Sequence, residues 1–82
     1  MLKQRGDCLA MSLNSSGISL KGMPDVMIMK DGKVLFCEIK EPGDRLSLIQ
    51  MERIGQLHRL GFDTKVIRTK EDIEEVIKII GG

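Results

Sequence analysis

Short apolar runs separated by polar turn residues predict strands in the first half of the chain. The run Asp7–Leu13 alternates imperfectly and predicts a first strand, and the Ser- and Gly-rich stretch Asn14–Gly22 predicts an exposed loop. Val26–Met29 and Lys33–Lys40 are two further apolar runs. The segment Lys30-Asp31-Gly32 between them is a turn signal, so the two runs are expected to form a β-hairpin.

Helix signals follow the hairpin, after the break at Pro42-Gly43-Asp44. Ser47 and Gln50 have the three-residue spacing of a helix capping box. The helix is expected to run to about Leu60, with Gly61 as its C-terminal stop. The stripe expected to face the sheet contains Gln50, Met51, Ile54 and Leu57.

The last third of the chain predicts another strand and another helix. Phe62–Arg68 is expected to be the strand, and Thr69 is expected to cap the helix. The apolar stripe of that helix is Ile73, Val76, Ile77 and Ile80. A strand–helix–strand crossover implies one parallel pair in an otherwise mixed sheet. The expected fold is therefore α/β, ordered β-β-β-α-β-α, in a single domain spanning residues 1–82.

Composition and charge exclude some classes of function. Thirteen basic residues against twelve acidic ones form no strongly basic tail, so DNA affinity has to come from local clusters. Two Phe and no Trp or Tyr argue against a protein that stacks single-stranded bases on aromatic side chains. Cys8 and Cys37 match no zinc spacing. No apolar run approaches the ~20 residues of a membrane span, so we expect an intracellular protein without membrane association.

The residues that carry chemistry lie at the ends of the predicted hairpin. Glu38 and Lys40 are two apart in a strand and therefore share a face. Taken alone this pair is a weak signal, because a frayed strand end also leaves both charges in water. Asp25 stands where the preceding strand begins, and antiparallel pairing brings it near Glu38 and Lys40. Two converging carboxylates repel unless a cation lies between them, and Mg²⁺ suits such a site, with the backbone carbonyl of Ile39 as a further ligand.

Gln50 has two possible roles that the sequence leaves open. In a capping box its side chain reaches back to the backbone amide of Ser47. On the sheet-facing stripe it points toward the chemical end of the sheet, where a buried amide needs hydrogen-bond partners. The Gln50 side chain could also fill both roles at once.

Together these residues resemble the VRR-NUC family of the PD-(D/E)xK nuclease superfamily. The resemblance rests on Gly22–Asp25, Phe36–Lys40, Pro42–Ser47 and Gln50, which occur in the family's order. It covers roughly residues 9–80. The small stand-alone members of the family are phage or bacterial proteins similar to Holliday-junction resolvases. The resemblance implies a restriction-endonuclease-like core and Mg²⁺- or Mn²⁺-dependent cleavage of DNA.

The resemblance also implies roles for individual residues. Asp25 and Glu38 would be metal ligands, Lys40 would position the attacking water and stabilise charge on the phosphate, and Gln50 would support the site. Lys21 and Arg45 flank these motifs and are the preferred candidates for DNA phosphate contacts, ahead of Arg53, Arg59, Lys65 and Arg68. The implied protein is a structure-selective endodeoxyribonuclease that acts on branched or duplex DNA, such as Holliday junctions, as a homodimer.

The chain departs from the family at its start. Family members usually begin with a helix that carries an acidic residue reaching the metal, whereas only Asp7, Asp25 and Asp31 are acidic before Glu38. The first helix is therefore expected to be short or missing. The alternative function is a catalytically weak or inactive DNA-binding or assembly subunit with the same fold.

Overall fold

A mixed four-stranded sheet forms the centre of the computed structural model, which describes residues 8–13 and 20–81. Strand β3 pairs antiparallel with β2 and parallel with β4, and β1 pairs antiparallel with β2. The α/β class and the predicted order of elements are confirmed. The expected short or missing first helix falls on residues 1–7, outside the described residues. The elements are β1 Cys8–Ser12, β2 Val26–Lys30, β3 Lys33–Ile39, α1 Leu48–Arg59, β4 Asp63–Ile67 and α2 Lys70–Gly81.

The hairpin turn fixes the register that builds the site. Asp31 and Gly32 both have positive φ, 54° and 75°, which is the backbone of a type I′ turn and matches strand twist. This turn pairs Val26 with Cys37, so the residue before β2 lies beside the end of β3. Accordingly, the backbone N–H of Asp25 donates to the carbonyl of Cys37 at 3.0 Å. The predicted hairpin is confirmed, with β3 ending one residue before Lys40.

The two faces of the sheet carry different chemistry because neighbouring residues of β3 point in opposite directions. Leu35 and Cys37 join Val76 of α2 in a buried apolar cluster. On the other face Phe36 meets Phe62 edge to face, with ring centroids 5.6 Å apart. Glu38 shares the face of Phe36, and α1 covers it there through Gln50.

The predicted helix stripes are confirmed only in part. In α1, Leu57 is buried, but Met51 is 48% exposed; in α2, Val76 is buried, but Ile73 and Ile77 are about 40% exposed. Both helices contact β4, an edge strand, so each covers only part of its face of the sheet. The sheet therefore covers the remaining residues of each predicted stripe only in part.

Candidate active site

Asp25, Glu38 and Gln50 meet at the C-terminal end of β3. The backbone N–H of Ile39 donates to Asp25 Oδ2 at 2.9 Å, which ties the Asp25 side chain to the neighbouring strand. Gln50 Nε2 donates to Glu38 Oε2 at 3.3 Å. Lys40 is half-buried directly after the strand, and its backbone N–H donates to Ile67 of β4 at 2.9 Å. The structure thus places Asp25, Glu38 and Gln50 at this strand end, with Lys40 close enough for its charge to act on Glu38.

Among the residues that the structure describes, Glu38 is the one charged residue that is buried, with 4% of its surface exposed. Desolvation by burial, reinforced by the neighbouring negative charge of Asp25, raises the pKa of its carboxyl to about 7. The charge of Lys40 acts in the opposite direction and lowers the pKa. Among the described residues, Glu38 Oε1 has no hydrogen-bond partner. Buried polar atoms are normally paired, so this oxygen calls for a partner that the protein chain itself does not supply.

A divalent ion fits this donor set. Residues 8–13 and 20–81 contain no group of three or more His, Cys, Asp or Glu side chains that could hold a metal. The carboxylate ligands at this site are therefore two, Asp25 and Glu38. Mg²⁺ is commonly bound through one or two carboxylates and keeps several waters, so two are sufficient. The N–H of Ile39 points toward Asp25, and in an extended strand the carbonyl of the same residue points to the same edge. That carbonyl is a third oxygen donor on the Asp25 side.

Gln50 makes both of the contacts that the sequence left open. Its Oε1 accepts from the backbone N–H of Ser47 at 2.9 Å, and its own backbone N–H donates to Ser47 Oγ at 3.2 Å. These reciprocal bonds form the capping box of α1. The same side chain reaches Glu38 through Nε2.

A turn before Asp25 docks on α1, a contact that the sequence analysis missed. The α carbon of Gly22 lies so close to α1 that an added Cβ would fall 2.6 Å from the carbonyl oxygen of Ile49. One turn along the helix, Arg53 Nε donates to the carbonyl of Lys21 at 3.1 Å. The available signal was the glycine two residues before Pro24, which marks a close approach of the backbone.

The basic residues divide into two groups. Three of the candidate cations have partners inside the molecule: Arg53 with Lys21 and Gln56, Lys65 with Glu75, and Arg68 with the carbonyl of Asp44. Lys21, Arg45 and Arg59 are exposed, and of these Lys21 and Arg45 lie on either side of the site in sequence. They are therefore better placed than the other three to meet a solvent-borne anion.

Two other reactive residue types lie outside the site. Cys37 is buried on the opposite face, and burial raises the pKa of its thiol to about 11, which makes it a poor nucleophile at neutral pH. His58 is exposed, and its Nε2 lies 2.7 Å from Thr64 Oγ1. The side chain of Cys37 lies on the face of the sheet opposite Glu38, and His58 lies in the last turn of α1.

A mixed sheet with a helix on each face and paired carboxylates at a strand end defines a restriction-endonuclease-like core. The VRR-NUC domain model matches residues 4–71, and the chain belongs to the VRR-NUC family. The family resemblance is thereby confirmed, and the chain is a nuclease-type domain of a family that generally uses divalent metals. Comparisons with curated proteins and with solved structures found no match.

Neither helix in the described ranges has the length and apolar character that crossing a lipid bilayer requires.

Proposed function

We propose that this chain is a Mg²⁺- or Mn²⁺-dependent endodeoxyribonuclease that hydrolyses phosphodiesters in branched DNA, such as Holliday junctions. One observation carries the proposal: the buried carboxyl of Glu38 lies beside Asp25 with one oxygen unpartnered among the described residues. A structural carboxyl would be expected to have its acceptors satisfied. An oxygen kept available next to a second carboxylate is instead suited to a cation.

In the proposed mechanism each residue has a defined role. Asp25, Glu38 and the Ile39 carbonyl would hold the ion. A bound divalent ion supplies Lewis-acid polarisation of the phosphate and activation of the attacking water. Lys40 orients that water and stabilises negative charge on the phosphate, while Gln50 holds the Glu38 carboxylate. The proposed products are a 5′-phosphate and a 3′-hydroxyl, as in related nucleases.

DNA contacts are assigned to Lys21 and Arg45. Both side chains are exposed, and both backbones are anchored near α1: Lys21 through Arg53, and Arg45 two residues before the N-cap Ser47. Lys and Arg at such places neutralise backbone phosphates without reading base sequence. Selectivity for branched DNA would then come from shape and from the spacing of two sites.

A homodimer is part of the proposal because cutting a four-way junction calls for two sites. Ile79 of α2 supports it, since it is 61% exposed and lies outside the predicted apolar stripe of the helix. A two-fold contact through this helix would bury apolar surface and present two equivalent sites to the DNA.

The test is cleavage of a labelled four-way junction and a linear duplex of matching sequence, with Mg²⁺, with Mn²⁺ and with a chelator. Lys40→Ala should lower the rate by roughly 100-fold or more, because a charge that stabilises the transition state is lost. Lys33→Ala is the matched control, since Lys33 is an exposed lysine at the opposite end of β3. Equal loss in both variants, or cutting that persists with a chelator, would overturn the proposed mechanism.

The second candidate function is a catalytically weak DNA-binding or assembly subunit. It is favoured by the finding that the described residues offer two acidic ligands and no third near them. A wild-type protein that binds the junction tightly with Mn²⁺ but cuts it no faster than Lys40→Ala would establish this candidate over the first.

A further inference from the structure

We propose that Ser47 is a positioning residue for the metal site and that it acts through Gln50. The inference rests on the proposed metal-dependent nuclease function and adds to it a residue that does not itself touch metal or DNA. Ser47 is exposed and precedes α1, so a sequence-based view assigns it a helix cap and nothing more.

The capping box fixes which way the Gln50 amide faces. The backbone N–H of Ser47 is a donor only, so the Gln50 atom 2.9 Å from it has to be the amide oxygen. The amide nitrogen is then the atom that faces Glu38, and it donates to Oε2 at 3.3 Å. The Ser47 hydroxyl completes the arrangement by accepting from the Gln50 backbone N–H at 3.2 Å, which holds the first turn of the helix in place.

This orientation determines which oxygen of Glu38 remains for an ion. Gln50 takes Oε2, and Oε1 has no partner among the described residues. A carboxylate held at one oxygen cannot rotate freely about its last bond, so the other oxygen keeps one direction. Ligands held in place by neighbouring hydrogen bonds bind metals more tightly than free ones.

The second helix shows what an ordinary capping box looks like in the same chain. Thr69 Oγ1 accepts from the backbone N–H of Asp72 at 3.2 Å, and Asp72 Oδ2 accepts from Thr69 at 3.1 Å. Asp72 is charged, as favoured in a first helical turn, and it also accepts from Arg68. This box has no contact with the site.

In α1 the first turn holds no acidic residue, and Gln50 occupies the position that an acid would suit. A carboxylate there could accept from Ser47 but could not donate to Glu38. Glutamine does both, because its side chain has an acceptor and a donor. The choice of amide over acid is therefore explained by Glu38 and not by the helix end.

The experiment measures Mn²⁺ binding by titration calorimetry and melting temperature without metal, for wild type, Ser47→Ala, Ser47→Thr and Thr69→Ala. Both alanine variants lose one N-cap hydroxyl, so both should melt several degrees lower, on the order of 4–8 °C. Ser47→Ala should also weaken Mn²⁺ binding about 5- to 10-fold, less than the roughly 10- to 100-fold cost of losing an outer-shell partner outright, because the Ser47 backbone N–H that orients the Gln50 amide remains. Thr69→Ala should stay within about twofold of wild type, and Ser47→Thr should restore binding because threonine keeps the hydroxyl.

The possible outcomes separate this inference from the proposed function. If wild type binds no Mn²⁺, the metal site itself is wrong and the inference falls with it. If wild type binds Mn²⁺ and Ser47→Ala binds equally well, only the positioning role is overturned. Should Ser47→Ala fail to fold, Ser47→Gly replaces it, since glycine is a tolerated N-cap that also lacks the hydroxyl, and the same 5- to 10-fold loss is expected.

Discussion

Glu38 combines burial with negative charge, an arrangement that costs stability and suggests a functional reason. At pH 8 without metal, its carboxylate is desolvated and lies near Asp25. Glu38→Gln keeps the shape and an acceptor for Gln50 while removing the charge. Without metal, we expect this variant to have a free energy of unfolding on the order of 1–2 kcal/mol above that of wild type, and so a higher melting temperature. It should also lose the rise in melting temperature that Mn²⁺ is expected to produce in wild type.

The matched control for that variant is Glu75→Gln. Glu75 is exposed and forms a surface ion pair with Lys65 at 3.0 Å, a kind of contact worth about 0–1 kcal/mol. Thermal melts at pH 8 with and without Mn²⁺ measure all three proteins. A Glu38→Gln protein that is less stable than wild type without metal would show that the carboxylate is mainly structural.

Glu38 also predicts how metal binding depends on pH. The pKa of Glu38 in the folded protein, about 7, lies above its ordinary value of 4.5, so the folded state without metal binds more protons between these values. The contribution of Glu38 to metal-free stability is therefore present at low pH and lost as pH rises through 7. Metal competes with this proton, so Mn²⁺ affinity should fall about tenfold between pH 8 and pH 6.

Calorimetric titrations at pH 6, 7 and 8 measure this dependence. His58→Gln is the control, because it replaces the one histidine of the chain, which lies outside the site. The variant should show the same fall in affinity as wild type. A flat affinity in wild type, or a pH dependence that disappears in His58→Gln, would remove Glu38 as the proton-linked ligand.

The docking of the Lys21–Gly22 turn on α1 is an element-scale feature that connects two parts of the site. Gly22 has φ +81°, and an added Cβ would clash with the backbone carbonyl of Ile49. Gly43 has φ +91° but open space around it, so it shares the backbone strain without the clash. We expect Gly22→Ala to lower the free energy of unfolding by at least about 2 kcal/mol more than Gly43→Ala does.

Chemical denaturation of both variants gives that difference, and Mn²⁺ titration adds a second readout. Because the turn leads directly into Asp25, Gly22→Ala should also weaken metal binding, whereas Gly43→Ala should not. Equal stability losses in the two variants would mean that the turn does not press on the helix.

At the same scale, the sequence was sufficient wherever a local signal determines the backbone. The Asp31-Gly32 turn gave the hairpin, and the hairpin register alone brought Asp25 beside the end of β3. The capping box at Ser47 was equally local. What the sequence could not show was that Gln50 makes both of its candidate contacts, because the second one depends on how α1 sits on the sheet.

Packing across elements was also where sequence-based expectations went wrong. An apolar stripe gives the direction that a helix faces but not how much of the sheet it covers. Because α1 and α2 both lie against β4, the sheet covers Met51, Ile73 and Ile77 only in part, and 40% or more of each remains exposed. Partners of the cations were likewise invisible, since Arg53 and Arg68 bind carbonyls distant in sequence.

For the molecule as a whole, the proposed homodimer is the feature that solution measurements test most directly. An α2-mediated dimer should have a melting temperature that rises with protein concentration, since association stabilises the folded state. Ile79→Lys places a charge on the outer side of α2 and should give the mass of one chain by light scattering, with no concentration dependence. Leu60→Lys is the control, because Leu60 is 72% exposed at the end of α1 and away from α2.

Junction cleavage links this assembly to function. Ile79→Lys leaves Asp25, Glu38 and Lys40 unchanged, so metal binding should persist while paired cutting of both junction strands falls to single, unlinked cuts. Resolution of a supercoiled cruciform plasmid measures this directly, because paired cuts give linear DNA and single cuts give nicked circles. An Ile79→Lys protein that produces linear DNA as efficiently as wild type, or a wild-type protein that already has the mass of one chain, would show that α2 has no part in presenting two sites.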